Sequence, residues 1–167
     1  MIRIKASRES IRILRALADY QFKPGVGEIL INDESYLLVS KTTGRIRGVE
    51  DSEGLVLTVR ASDHRIIPTC VGGLRIKNHV ASPQLRVIVI NEISREISLG
   101  GSVFARHVLE VDRELRPWDI ALVVDESDRL LAIGRLLLSP DEMLHYIRGV
   151  AVFNREGCWK YLEKVEM

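Results

Sequence analysis

Few residues in this chain are placed to make or break bonds. Cys70 and Cys158 stand far apart, so they form no Cys-x-x-Cys redox site and supply at most half of an all-cysteine zinc site. Both are expected to be free thiols with structural roles. His64 follows Asp63, while His79 and His145 stand alone, without His-x-x-x-His or Glu-x-x-His spacing. Adjacent residues on an extended segment point to opposite faces, so no metal site, cofactor site or acid–base pair is expected from them. No nucleophile, base and orienting group can be read as a set.

What the sequence offers instead is cations beside glycines. Gly100, Gly101 and Ser102 read as the start of a short helix ending near Val108, whose free amides would attract an anion, with Arg106 and His107 one turn onward. Gly134 followed by Arg135 pairs a close backbone approach with a forked donor. Lys41, Arg45 and Arg47, with Arg60 and Arg65, cluster around turn glycines. Arg45 and Arg47 would share one strand face and make a basic stripe. Each group suits phosphate; each also has a plain explanation, a turn glycine or a solvated charge. Phe104 is expected in the core with Val103 and Val108. Trp118 either packs against the fold, the preferred reading, or sits half-exposed as an anchor.

These residues need elements to hold them. Ser7 to Tyr20 reads as a helix capped by Ser7, with Ile11, Leu14, Leu17 and Ala18 on one face and Arg8, Arg12 and Arg15 on the other. Pro24-Gly25-Val26-Gly27 breaks the pattern. Strands are expected at 28–31, 36–40, 45–49, 55–60 and 74–77, with turns that include Gly72-Gly73. Residues 85–90 form a β-branched run that could join two halves. Further on, strands at 120–124 and 130–138 flank a turn, and Gly134 suggests a bulge. Ser139-Pro140-Asp141-Glu142 has the form of a capping box opening a short helix. Two strands, 150–154 and 159–165, joined by a turn at Glu156-Gly157, would end the chain. The expected fold is α+β: an N-terminal α+β region over residues 1–92 and a small, partly closed barrel over 93–167.

Composition sets the bounds. The chain has 167 residues, 46% hydrophobic, 28% charged and 5% aromatic, which excludes a disordered tail, a collagen-like chain and a disulfide-dense scaffold. A large catalytic barrel does not fit. No apolar run approaches the roughly 18 residues of a membrane helix, and Met1-Ile2-Arg3-Ile4-Lys5 is too polar for a signal peptide, so a cytoplasmic protein without membrane contact is expected. The formal charge of +1 hides an asymmetry: 14 Lys and Arg against 9 Asp and Glu in residues 1–90, then 10 against 14 in residues 91–167. A basic half hints at an anionic partner.

Residues 115–150 resemble a PUA domain, an RNA-binding module. The resemblance rests on Arg116-Pro117-x-Asp119, the strand Ala121–Asp125, the hairpin into Leu131-Ala132-Ile133-Gly134-Arg135, and Ser139-x-x-Glu142-Met143. Trp118 departs from it, because the family usually has glycine at that turn. Gly100-x-x-Val103-Phe104-Ala105-Arg106-His107-Val108 is similar to the glycine-led opening of archaeal PUA domains. Ala18–Phe22 with Gly25-x-Gly27, Ser40-Lys41-x-Thr43-Gly44-Arg45-Ile46-Arg47, Arg60-Ala61-x-Asp63 and Pro68-Thr69 resemble the small domains before PUA in archaeal tRNA-guanine transglycosylase.

Nearly the whole chain thus resembles the C-terminal third of that enzyme. The family's catalytic barrel exchanges guanine for a deazaguanine in the tRNA D-arm, with an aspartate nucleophile and a zinc site. This chain has no room for that barrel and no Cys-x-Cys-x-x-Cys cluster, and Pro68-Thr69-Cys70-Val71-Gly72 is not the motif of the sister family, archaeosine synthase. The resemblance implies a non-catalytic RNA-binding protein, holding the tRNA acceptor stem and 3′ end beside a separate catalytic subunit of the archaeosine pathway. The other class implied is a protein-interaction or ribosome-associated PUA module.

Overall fold

The computed structural model describes residues 1–163. The chain forms two compact units, Met1–His79 and Val80–Met167.

The first unit runs β1 (Ile2–Lys5), α1 (Arg8–Gln21), α2 (Val26–Leu30), β2 (Tyr36–Val39), β3 (Ile46–Asp51), β4 (Gly54–Val59), β5 (Ile66–Pro68) and α3 (Cys70–His79). The strands form an antiparallel meander in sequence order. Ser7 caps α1 by accepting the Ser10 N–H, and Ile11, Leu14 and Ala18 turn inward as their spacing requires. Gln21, at the end of α1, both donates to and accepts from the backbone of Ile66, at 2.7 and 2.8 Å, and so pairs part of the edge strand β5.

Two expected strands are helices. Residues 28–31 fall on α2 and its C-cap, and 74–77 fall within α3. In both places a glycine read as a chain break is a point of close approach. A Cβ on Gly27 would lie 2.3 Å from the Arg15 carbonyl oxygen, and one on Gly72 2.4 Å from that of Val56. Gly25, at φ +91°, turns the chain into α2, and the Asp19 carboxylate accepts the Gly27 N–H at 2.7 Å. A cap supplied from another helix leaves no trace in local periodicity. The Arg75 guanidinium reaches Asp51 at 2.8 Å and Glu53 at 3.2 Å, and the Asp51 side chain is 2% exposed.

The second unit contains β6 (Arg86–Val89), α4 (Ser94–Ser98), β7 (Val103–Phe104), β8 (Val108–Val111), β9 (Ile120–Val124), β10 (Leu130–Leu136), α5 (Pro140–His145), β11 (Val150–Gly157) and α6 (Trp159–Glu163). Short 3-10 turns cover Asn91–Ile93 and Ala105–His107. Residues 80–92, read from sequence with the N-terminal region, contribute β6, which lies inside this sheet between β8 and β9. The described order is β7-β11-β10-β9-β6-β8, with β6 and β9 parallel. The outermost strands β7 and β8 are joined by the single turn Ala105–His107, so the sheet curls until its two ends meet at the chain itself. The result is the expected α+β architecture with a nearly closed barrel.

Every residue of β9 is buried, as are all of β10 but Arg135. The bulge expected at Gly134 is present, as a register shift between Ile133 and Gly134 against β11. The capping box of α5 is complete: Ser139 accepts the Glu142 N–H while the Glu142 carboxylate accepts the Ser139 N–H. That exchange holds the Glu142 pKa below its ordinary value. At the end of the chain β11 runs straight through Glu156-Gly157, and the strand expected at 159–165 is helix α6 over 159–163; its last two positions lie outside the described residues.

Both cysteines are buried, and neither is a free thiol, against expectation. Separation along the chain excludes a Cys-x-x-Cys site but does not by itself leave a thiol free.

Candidate nucleic-acid interface

The glycines at 100–101 do not open a helix. They end one: the Gly100 N–H donates to the Ile97 carbonyl at 2.9 Å and the Gly101 N–H to that of Glu96 at 3.0 Å, with Gly100 at φ +102°. A left-handed glycine whose amide closes the last turn is a helix C-terminus. Of the donors expected for an anion, the Gly100 and Gly101 amides are therefore taken up by α4. Downstream, residues 103–107 form β7 and the 3-10 turn instead of a helix, and Val108 opens β8. Asn154 on β11 donates to the Gly101 carbonyl and ties this corner to the sheet.

Gly134 is likewise closed off. A Cβ there would lie 2.3 Å from Val152 Cγ1 and 2.8 Å from Asn154 Oδ1, so side chains of β11 fill the space a ligand would need. Its neighbour Arg135 points the other way, out of the barrel, and pairs across strands with Phe153.

That outer face carries a row of aromatic and cationic side chains. Val103 and Val152 pair with both side chains buried, so the adjacent Phe104 and Phe153 face outward, 42% and 46% exposed. Phe104 is thus not in the core. The Arg106 guanidinium lies 5.6 Å from its ring centre, and His107 meets it edge-on at 6.4 Å. On the next strand, Arg155 follows Phe153 at the two-residue period and is exposed. On the strand beyond, Arg135 lies 5.9 Å from the Phe153 ring and 4.7 Å from that of Trp118. Trp118 is 56% exposed, so it takes the anchor position and not the packed one preferred from sequence. Strands stand about 4.8 Å apart, so β7, β11 and β10 bring Phe104, Arg106 and His107 onto one face with Arg135, about two strand spacings away.

Phe153 and Arg155 are not singled out by the local sequence. Their signal was the alternation Val152-Phe153-Asn154-Arg155, readable once Asn154 is recognised as facing inward, where it is 8% exposed.

In the first unit, Lys41, Arg45 and Arg47 are exposed at the β2–β3 turn. Arg45 lies just before β3, so it and Arg47 flank the strand's first residue. This turn and the β4–β5 turn share one hydrogen-bond pattern. Ser40 N–H donates to Arg45 O and Gly44 N–H to Ser40 O; Arg60 N–H donates to Arg65 O and His64 N–H to Arg60 O. Gly44 and His64 both take positive φ, +69° and +59°. Arg45 Nη1 donates to the Ala61 carbonyl at 3.3 Å and holds the two turns side by side. Asp63 accepts from the Arg65 N–H and from Arg60, which keeps its pKa below the ordinary value; it serves the turn and forms no pair with His64.

Among the described residues, no group of three His, Cys, Asp or Glu is placed to hold a metal, and no helix is long and apolar enough to cross a membrane.

Residues 12–83 match the family of the patch-forming domain C2 of tRNA-guanine transglycosylase, and residues 85–158 match the PUA domain family. The chain is 37% identical over 158 residues to a tRNA-guanine(15) transglycosylase of Methanobrevibacter smithii, covering 94% of this chain and 24% of the relative. It is 40% identical over 155 residues to that of Methanococcus vannielii, covering 92% and 23%. It therefore spans about a quarter of the length of these curated relatives. Two solved structures share the fold over nearly their full lengths. A hypothetical protein of Pyrococcus horikoshii has a TM-score of 0.74 at 20% identity, covering 99% of this chain and 100% of its own. A conserved PUA domain protein of Thermoplasma acidophilum has a TM-score of 0.66 at 18% identity, covering 98% and 99%. Residues 85–158 are thus a PUA domain preceded by C2-type residues, an arrangement similar to the C-terminal part of archaeal tRNA-guanine transglycosylases.

Proposed function

We propose that this chain is a non-catalytic RNA-binding protein that holds tRNA by its acceptor stem and 3′ end, for a separate catalytic subunit of tRNA base modification in the archaeosine pathway. The observation that carries this is the row of arginines interleaved with aromatic rings on the outer face of the PUA barrel: Arg106 with Phe104, Arg155 beside Phe153, and Arg135 between Phe153 and Trp118. Arginine forks onto phosphate oxygens, and exposed rings suit RNA whose bases are unstacked. The exposed Lys41, Arg45 and Arg47 of the first unit would track more of the backbone. The relatives' names supply the class of RNA, and the order of the two domains supports a part in the same chemistry.

Quantitative gel-shift or filter binding tests this reading. Transfer RNA is expected to bind more tightly than an unstructured polymer of equal length, with an affinity that falls steeply with salt. Equal affinity for the two would refute it. Partners retained after nuclease treatment of a co-purification would favour the protein-interaction alternative.

A further inference from the structure

Trp118 occupies a backbone conformation that does not suit it. Its φ is +76°, in the left-handed region where a residue with a bulky side chain is a genuine outlier. Such strain persists where the surroundings impose it, and here they do: the Trp118 N–H donates to the Leu136 carbonyl at 2.7 Å, and the Asp119 N–H closes the turn on Arg116 at 3.1 Å. Glycine would meet the same requirement without cost. The indole does not offset the strain by deep burial, since more than half of the residue stays open to solvent. It is held in place, however. Arg135 lies over the ring at 4.7 Å, and its guanidinium also lies 5.9 Å from the centre of the Phe153 ring. Arg135 Nε is buried in this arrangement with no hydrogen-bond partner, a second local cost. Strain and an unmet donor at one exposed aromatic–cation stack point to a site kept for a ligand.

We propose that Trp118 is a stacking platform for one unpaired nucleobase, with Arg135 behind the ring and the arginine-bearing face beside it taking the adjoining phosphate. The proposal rests on the RNA-binding reading and gives it an address. A nucleobase fits because it is flat, apolar on its faces and linked to an anion, which matches an exposed indole bordered by guanidinium groups. A duplex end does not present a free base in the same way.

The test uses the full chain and two RNAs, a hairpin with a four-nucleotide 3′ overhang and the same hairpin blunt-ended. The wild type is expected to prefer the overhang. Trp118→Gly is expected to lose that preference, by about tenfold or more on the overhang hairpin, with blunt-hairpin affinity unchanged. Its melting midpoint should rise by a few degrees, because glycine relieves the turn. Trp118→Phe should restore much of the overhang affinity. In a Trp159→Phe background Trp118 is the sole tryptophan, and its fluorescence should be quenched by the overhang hairpin and not by the blunt one. Binding of both hairpins with Trp118→Gly unchanged, or weakened equally for both, overturns the platform and leaves the RNA reading standing. Failure of the wild type to bind either hairpin overturns both.

Discussion

Gly134→Ala separates two roles for one glycine, as a gap through which RNA approaches the backbone or as a gap already filled by the neighbouring strand. The added methyl would lie 2.3 Å from Val152 Cγ1, 2.8 Å from Asn154 Oδ1 and 3.4 Å from Val123 Cγ2. Val152 is fully buried and Asn154 is held by its bond to the Gly101 carbonyl, so neither can withdraw freely. Overpacking of this kind costs about 1–3 kcal/mol. The lower backbone entropy of alanine in the unfolded chain offsets about 0.5–1 kcal/mol. A net loss of about 1–2 kcal/mol is expected, a drop of roughly 5–15 °C in the melting midpoint for a unit of this size. Both tryptophans, Trp118 and Trp159, lie in the second unit, so tryptophan fluorescence in urea reports its unfolding. Val152→Ala removes the clashing methyl, and the double variant should lose less than the sum of the single losses, by about 1 kcal/mol. Below its melting range Gly134→Ala should bind RNA as the wild type does. Unchanged stability with weakened RNA binding would refute this reasoning and restore the glycine as a point of ligand approach.

Arg75→Ala leaves the Asp51 carboxylate buried without its cation and should destabilise the first unit by about 3 kcal/mol, measured by circular dichroism in urea. Burial alone would raise the Asp51 pKa; the Arg75 guanidinium, the Glu53 N–H and Asn32 together lower it below 3.8. A lowered folded-state pKa means stability that is complete above the unfolded value and lost as pH falls through the folded one. The first unit should therefore weaken on acidification below about pH 4, and Asp51→Asn should flatten that part of the profile; an unaltered profile would contradict the assignment. Replacing Lys41, Arg45 and Arg47 together by alanine should reduce the slope of log affinity for tRNA against log salt by about 2, measured by filter binding. An unchanged slope would confine RNA contact to the second unit.

The sequence was most informative where the signal is local. Helix α1, the capping box at Ser139 and the Gly134 bulge are each specified by residues within a few positions of one another, and the structure has all three. It was least informative where a glycine answers to something distant. Gly27 and Gly72 read as breaks because the Arg15 and Val56 carbonyls that demand them lie on other elements. Gly100 illustrates a related ambiguity: glycine beside a helix marks either end, and only the hydrogen bonds to α4 show which. At the candidate interface the sequence marks Arg106, His107 and Arg135 as cations, whereas the helical spacing of Val103, Phe104 and Val108 points Phe104 inward and packing is the preferred reading of Trp118. Their exposure follows from register, Phe104 from the buried pair Val103 and Val152 and Trp118 from a turn, and register is a property of two strands at once.

The turn Ala105–His107 is the stitch between the first and last staves of the barrel, and Arg106 projects from it. A molecule that grips Arg106 would pull on the same three residues that keep the cylinder shut.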